Sequence, residues 1–168
     1  MTELGTDPLT LGHTAISLIA IVAGLMALAA MLKGQTPVGL TGIFLGLTVL
    51  TSLTGYLFQN ASITPAQITG AVSLAILAVA LFAYYGRHLA GRWRTAYVVT
   101  AVAALYLNCF VGVIQSFIKI PALHALAPTI PPAGPVFGAV QGVLLIAFII
   151  AGWKAVRAGR RLAPAPLV

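Results

Sequence analysis

Charge is the property that this sequence lacks most. Only 7 % of its 168 residues are charged, and just two of them, Glu3 and Asp7, are acidic. A soluble domain is typically about 25 % charged, because its surface faces water. With 60 % hydrophobic residues and a mean hydropathy of +1.05, most of the surface of this chain must face an apolar environment. The composition therefore excludes a soluble globular domain.

The residues and motifs of several common chemistries are also absent. Cys109 is the only cysteine, which excludes an internal disulfide and CxxC chemistry. The sequence contains no phosphate-binding loop, no HExxH zinc motif and no GxSxG nucleophile elbow. No acidic residue lies in any long apolar stretch, so coupled proton or sodium transport has no carboxylate carrier. These absences argue against an enzyme.

Long apolar runs are what the sequence has instead. A helix needs roughly 20 apolar residues to cross the hydrocarbon core of a bilayer. Five stretches meet this requirement: 11–32, 38–58, 65–85, 95–118 and 135–156. The sequence thus predicts an all-α integral membrane bundle of five transmembrane helices. Residues 1–157 form its single domain, and residues 158–168 are predicted to be a mobile cytoplasmic tail.

The basic residues predict the orientation of this bundle. Basic residues in short links mark the cytoplasmic side of a membrane protein. With the N-terminus outside and the C-terminus inside, the outer side receives Lys119 together with Glu3 and Asp7. The inner side receives the other eight basic residues: Lys33, Arg87, Arg92, Arg94, Lys154, Arg157, Arg160 and Arg161. The net charge of +7 thus fits membrane orientation, and no soluble body is present to offer a patch for nucleic acid.

Polar residues of the fourth span follow one helical face. Residues spaced by three and four positions share a face of a helix. One such face holds Tyr97, Ala101, Ala104, Asn108, Gly112, Gln115 and Lys119. We expect this stripe to face the interior of the bundle. The other side, with Val98, Val102, Leu105, Cys109 and Val113, is expected to face lipid.

Polar residues of other spans complete the candidate site. His13 and Ser17 share a phase with Gly24 in the first span, and Thr41, Thr48 and Ser52 share one in the second. Asn108 is expected to meet one of these two stripes. The candidate site consists of His13, Ser17, Asn108, Gln115, Lys119 and Gln141. Two interpretations stay open, since the residues either line a polar pocket open to the outside or hydrogen-bond to one another between helices.

No cofactor or metal is predicted. The sequence leaves open a haem or a metal held by His13 and His124 on the outer side. Lys119 is expected either to extend to the outer headgroups or to receive an anionic or carbonyl group.

Two GxxxG spacings suggest close helix contacts. Gly42 and Gly46 form one pair, and Gly138 and Gly142 form the other. Such pairs let helix backbones approach closely in a membrane. They predict tight packing and a homo-oligomer or larger membrane complex.

Three segments, TVLTSLTGYLF, RHLAGRWRTAYVV and YLNCFVGVIQSFIKIPALHALAPT, resemble a family of small, uncharacterised multi-pass bacterial inner-membrane proteins. The resemblance spans most of the chain after the first helix and implies a location in the bacterial inner membrane.

Three function classes remain open. The first is a non-catalytic membrane subunit or assembly partner, favoured by the small size, the GxxxG spacings and the missing catalytic groups. The second is a small-molecule binder or permease with an outward-facing polar pocket. The third is a redox subunit that binds haem or quinone.

Overall fold

The computed structural model describes residues 7–58 and 65–161, and all regular structure within them is helical. A 3-10 turn (Gly55–Leu57) extends the second helix, and a π-helical turn (Phe82–Gly86) extends the third. In chain order the helices are α1 (Pro8–Leu32), α2 (Val38–Thr54), α3 (Pro65–Leu81), α4 (Arg92–Lys119), the short α5 (Pro121–His124) and α6 (Pro135–Arg161).

Five of these helices are long and apolar enough to cross a membrane, namely all but α5. This result confirms the predicted all-α class and the five helices of membrane-spanning length. The largest difference in length is at the C-terminus, where α6 continues to Arg161 and so enters the segment 158–168 that was predicted to be a tail. Residues 162–168 lie outside the described residues, as does the start of the chain before Asp7.

Local sequence determines both ends of α1. At its start, the Asp7 side chain caps the helix by accepting a hydrogen bond from a first-turn amide. At its end, Gly34 adopts a φ of 73°, a conformation that glycine tolerates best. The amides of Gly34 and Gln35 donate to the carbonyls of Met31 and Ala30, which is the Schellman arrangement. The chain therefore turns sharply at Gly34 and leads into α2.

Helix α4 forms the centre of the bundle, where it contacts α1, α2, α3 and α6. Its buried residues are Tyr97, Val98, Ala101, Val102, Ala104, Leu105 and Phe117. The stripe predicted to face the interior is therefore buried at Tyr97, Ala101 and Ala104.

The prediction that the other side of α4 faces lipid is wrong for Val98, Val102 and Leu105, which are all buried. Val102 lies against Gly152 of α6, where a β-carbon built on the glycine would be 3.3 Å from Val102 Cγ1. Hydropathy cannot separate a lipid-facing side from a side covered by another helix, because both are apolar.

Among the described glycines, Gly24 of α1 has the tightest surroundings. A β-carbon built there would lie 2.5 Å from Leu105 Cδ1 of α4 and 2.8 Å from the Phe44 ring of α2. All three residues are buried. The missing side chain at Gly24 thus lets three helices meet at one point.

We expect Gly24→Ala to lower the free energy of unfolding by about 1–3 kcal/mol, the usual cost of overpacking a core. Gly12→Ala is the matched control in the same helix, because a β-carbon there has no neighbour within 4 Å. Thermal unfolding in detergent measures both. Equal stability of the two variants would contradict this packing.

Candidate functional site

Helix α2 carries a row of hydroxyl groups that meet polar side chains of the central helix α4. Tyr97 donates its hydroxyl to Thr41 Oγ1 over 3.4 Å. Two turns along α2, Asn108 donates its amide to Thr48 Oγ1 over 3.1 Å. Both threonines are fully buried. Of the two stripes expected to receive Asn108, the one on α2 is therefore its neighbour.

The same helix bonds to α1 and α3 through other side chains. On the α1 side, the distance from His13 Nδ1 to Thr54 Oγ1 is 2.8 Å. Ser17 donates to His13 O of its own helix over 2.7 Å, and its oxygen lies 3.5 Å from Thr51 Oγ1. On the α3 side, Ser52 donates to Ser73 over 3.3 Å, and both serines are buried. Thus α2 is the polar helix to which three neighbours are hydrogen-bonded.

The hydroxyl protons of Thr48 and Thr54 remain within α2. Thr48 donates to Phe44 O over 2.7 Å, so its oxygen is free to accept from Asn108. Thr54 likewise donates to Leu50 O over 2.8 Å, so His13 Nδ1 is the donor towards Thr54. One hydroxyl thus acts as a donor and an acceptor at once, as its chemistry permits. These polar atoms are occupied by partners inside the bundle.

The stripe on α4 leaves the interior near the end of this helix. Gly112 still lies beside α1, 3.5 Å from Ile21 Cδ1 when a β-carbon is built on it. Beyond it, Gln115 is exposed, whereas Phe117 is buried and packs its ring against Phe137 of α6. The buried side of α4 therefore changes from the stripe to the side of Phe117, and the expectation that Gln115 faces the interior is not met.

Lys119 ends α4 and is exposed. The Tyr97–Thr41 and Asn108–Thr48 bonds show that α2 and α4 run in the same direction. Because His13 meets Thr54 at the end of α2, His13 and Lys119 lie at the same end of the bundle. This end is the one assigned to the outer side in the sequence analysis.

Gln141 links α6 to α4 by a side-chain hydrogen bond. It is 9 % exposed and donates its amide to Phe110 O over 3.2 Å. Its Oε1 atom is buried without a hydrogen-bond partner among the described residues. A buried acceptor without a partner is costly, so this contact stabilises α6 less than a fully paired amide would.

The six candidate residues are thus distributed over separate interfaces. His13 and Ser17 lie between α1 and α2, Asn108 lies between α2 and α4, and Gln141 lies between α4 and α6. Gln115 and Lys119 are exposed at the end of α4. This arrangement favours the interpretation of interhelical hydrogen bonding over a shared pocket.

The two histidines considered for haem both have polar contacts at Nδ1. His13 contacts Thr54, and His124 Nδ1 lies 3.3 Å from Phe117 O. Within 7–58 and 65–161, no group of three or more His, Cys, Asp or Glu side chains is arranged to hold a metal ion.

Sequence reasoning missed Arg94 as a link between three helices. Its guanidinium donates to Gly34 O, directly after α1. It also covers Gly159 of α6, where a β-carbon would lie 3.2 Å from Arg94 Nε. A cation is favoured near these positions because the carbonyl ends of α1 and α6 carry partial negative charge. No pattern within α4 itself indicates this contact.

The two GxxxG pairs differ in their surroundings. At Gly42 a β-carbon would lie 3.5 Å from the Tyr85 hydroxyl, an ordinary contact. At Gly46, Gly138 and Gly142 it would meet nothing within 4 Å. The pair on α6 therefore lies on open surface and makes no close helix contact within the described chain.

Comparison of the chain with models of protein families, with curated proteins and with solved structures finds no match.

We expect Asn108→Leu and Thr48→Val to destabilise the bundle through the same lost hydrogen bond. A double-mutant cycle should therefore give a coupling free energy of roughly 0.5–1.5 kcal/mol, the range of such bonds in membrane helices. Thermal unfolding in detergent supplies the four stabilities.

Gln115→Leu is the control on the same stripe, because Gln115 is exposed and makes no side-chain hydrogen bond within the described part of the chain. It should leave the stability unchanged. A loss as large as that of Asn108→Leu would mean that Gln115 has a partner inside the bundle.

Proposed function

We propose that this chain is a non-catalytic multi-pass subunit or assembly partner of the bacterial inner membrane. The observation that carries the proposal is the use of the polar side chains within the spans. His13 bonds to Thr54 and Asn108 bonds to Thr48, both on the neighbouring helix α2, so the chemistry of these side chains is used to assemble the bundle. The resemblance of the sequence to small inner-membrane proteins supports the location.

The distribution of charge supports an orientation with the N-terminus outside and the C-terminus inside. Arg94 brings together the link after α1, the start of α4 and the end of α6, and the basic residues lie in or beside these segments. Asp7 lies at the opposite end of α1, which at 25 residues is about 37 Å long. One end of the bundle is thus strongly basic, and such an end is retained on the cytoplasmic side.

The glycine pair of α6 supports assembly with a further helix. Gly138 and Gly142 lie where a second helix could approach the backbone without displacing a side chain of this chain. Most of α6 is also uncovered by the rest of the bundle, as the exposure of Val143 and Ile146 illustrates. Helix α6 is therefore the face through which we propose that the chain joins a second copy or another subunit.

The two alternatives find less support. A pocket open to the outside would need His13, Asn108 and Gln141 to face one space, but they lie on three different interfaces. A haem between His13 and His124 would use the Nε2 atoms, since both Nδ1 atoms have contacts.

Accessibility labelling tests the orientation in a Cys109→Ala background. His88→Cys places a thiol in the link before α4, and Ala122→Cys places one in α5; both positions are exposed. In intact cells an impermeant maleimide should label Ala122→Cys and should reach His88→Cys only after permeabilisation. The reverse pattern would overturn the orientation. Equal labelling of both positions would place them on the same side of the membrane, so α4 would not be a span and the number of spans would not be odd.

The combined variant Gly138→Leu with Gly142→Leu tests assembly through α6. Two leucines should block the approach of a second helix and reduce the mass of the complex purified in mild detergent to that of the lone chain. Light scattering coupled to size exclusion measures this mass.

Gly12→Leu with Gly39→Leu is the matched control, since a β-carbon at either position also meets nothing within 4 Å. It should leave the mass unchanged. A wild-type protein that purifies as a lone monomer with no stoichiometric partner would contradict the assembly role.

A further inference from the structure

An apolar groove runs between α4 and α6 on the surface of the bundle. Its volume is about 300 Å³. The side chains that line it include Val99, Ala103, Tyr106, Leu145, Ile149 and Trp153. Gly152 and Val102 also line the groove, and a β-carbon built on Gly152 would lie 3.3 Å from Val102 Cγ1.

The groove opens sideways, towards the position of lipid. Val99, Ile149 and Trp153 are 52 %, 62 % and 56 % exposed, although each belongs to a helix of membrane-spanning length. A groove of this kind within the hydrocarbon region is accessible to a lipid acyl chain and closed to water-soluble ligands.

A basic cleft follows the groove along the same interface. It is lined by Arg94, Thr95, Gly159 and Arg160 among others, and its volume is about 50 Å³. The two spaces follow one another along both helices, since the groove is lined by Val102 and Gly152 and the cleft, one turn away, by Val98 and Val156. Apolar groove and basic cleft are thus adjacent along the interface of α4 and α6.

A third guanidinium, that of Arg157, lies beside the groove. The Arg157 guanidinium carbon lies 4.2 Å from the centre of the Trp153 ring, which is the stacking distance of a cation–π pair. Trp153 itself lines the groove. Tryptophan favours the boundary between hydrocarbon and headgroups, so the ring marks the depth at which a bound lipid would change from chain to headgroup.

Among the described residues, these arginines have no carboxylate partner. The only acidic residue in 7–58 and 65–161 is Asp7, at the other end of α1. That distance of about 37 Å far exceeds the Debye length of about 8 Å at physiological salt. Arg94 uses one donor on Gly34 O, which leaves other guanidinium donors of the cleft for an external anion.

We propose that the α4–α6 interface binds one anionic phospholipid. The headgroup phosphate occupies the basic cleft between Arg94 and Arg160, with Arg157 beside it, and an acyl chain lies in the apolar groove. The guanidinium group suits this role because its fork of donors matches the oxygens of a phosphate. The charge of the cleft distinguishes an anionic lipid from a neutral one, and the groove distinguishes a lipid from a free phosphate.

Native mass spectrometry of the detergent-purified chain tests this proposal. The protein is titrated with phosphatidylglycerol, with phosphatidylcholine of the same chain length, and with inorganic phosphate. We expect one phosphatidylglycerol per chain, bound about tenfold or more tightly than phosphatidylcholine, given roughly 1 kcal/mol for each basic residue near the headgroup. Inorganic phosphate should not compete at the same concentrations.

Variants separate the two halves of the site. Arg160→Gln should weaken phosphatidylglycerol binding roughly fivefold and leave phosphatidylcholine binding unchanged. Ala103→Phe fills the groove and should weaken both lipids. If Ala103→Phe does not fold, Val99→Phe tests the same space from an exposed position.

Matched controls carry the same changes outside the site. Arg92→Gln removes a charge from the same end of the bundle, and Ala147→Phe adds a ring to an exposed position of α6; neither residue lines the cleft or the groove. Both should bind phosphatidylglycerol as the wild type does.

Four results would overturn the proposal. Equal binding of the two lipids would mean that the basic cleft does not recognise the headgroup charge. Weaker binding in Arg160→Gln with no change in Ala103→Phe would mean that the lipid is held only by electrostatic attraction to the surface and not by the groove. Displacement of the lipid by inorganic phosphate would indicate a phosphate site. A lipid-free dimer that Ala103→Phe abolishes would mean that a second copy of the chain occupies the groove.

Discussion

A polar group inside a bilayer has no water to bond to, so it must find its partner within the protein. The rest of this structure depends on how α2 meets that requirement. Thr48 donates to a carbonyl of its own helix and accepts from Asn108, so that one buried hydroxyl satisfies itself and a neighbour. Thr54 does the same for His13. This device links α2 to α4 and α1, Ser52 links α2 to α3 by donating to Ser73, and Gly24 of α1 lets side chains of α2 and α4 approach closely.

Helix α6 is attached in a different way, and this difference shapes the proposals about function. The helix packs against α4 through apolar contacts, with Gly152 against Val102 and Phe148 against Tyr106. The Gln141 side chain adds one hydrogen bond, but its Oε1 atom has no partner among the described residues. Because the network of α2 does not reach it, much of α6 remains uncovered. The exposed surface of α6 can therefore accommodate another helix near its start, at Gly138 and Gly142, and a lipid near its end, beside the basic cleft. These two surfaces are separate enough that each can be tested without the other.

Arg94 contributes both to the packing of the helices and to the charge distribution that supports the proposed orientation. Arg94 lies on the central helix, yet its guanidinium reaches the carbonyl that follows α1 and covers the end of α6. The glycine turn at Gly34 presents that carbonyl, so a local feature of the α1 terminus positions a contact 60 residues further along the chain. A residue that would orient the protein in the membrane thereby also fastens three segments together. Loss of Arg94 would affect both the packing and the proposed lipid site, which is why Arg160 is the better residue for a test.

By itself, the sequence determined the class and the spans, because hydropathy over 20 residues depends only on composition along the chain. It also identified Thr48 and Asn108 as interior residues, since a polar side chain in hydrocarbon must face protein. Only the tertiary structure decided that Val102 is buried by α6, that Gln115 is exposed and that Arg94 reaches Gly34. Each of these depends on which helices are neighbours and where they separate. In a membrane, lipid and protein are equally apolar surroundings, so hydropathy contains no information about that choice, and packing geometry alone makes it.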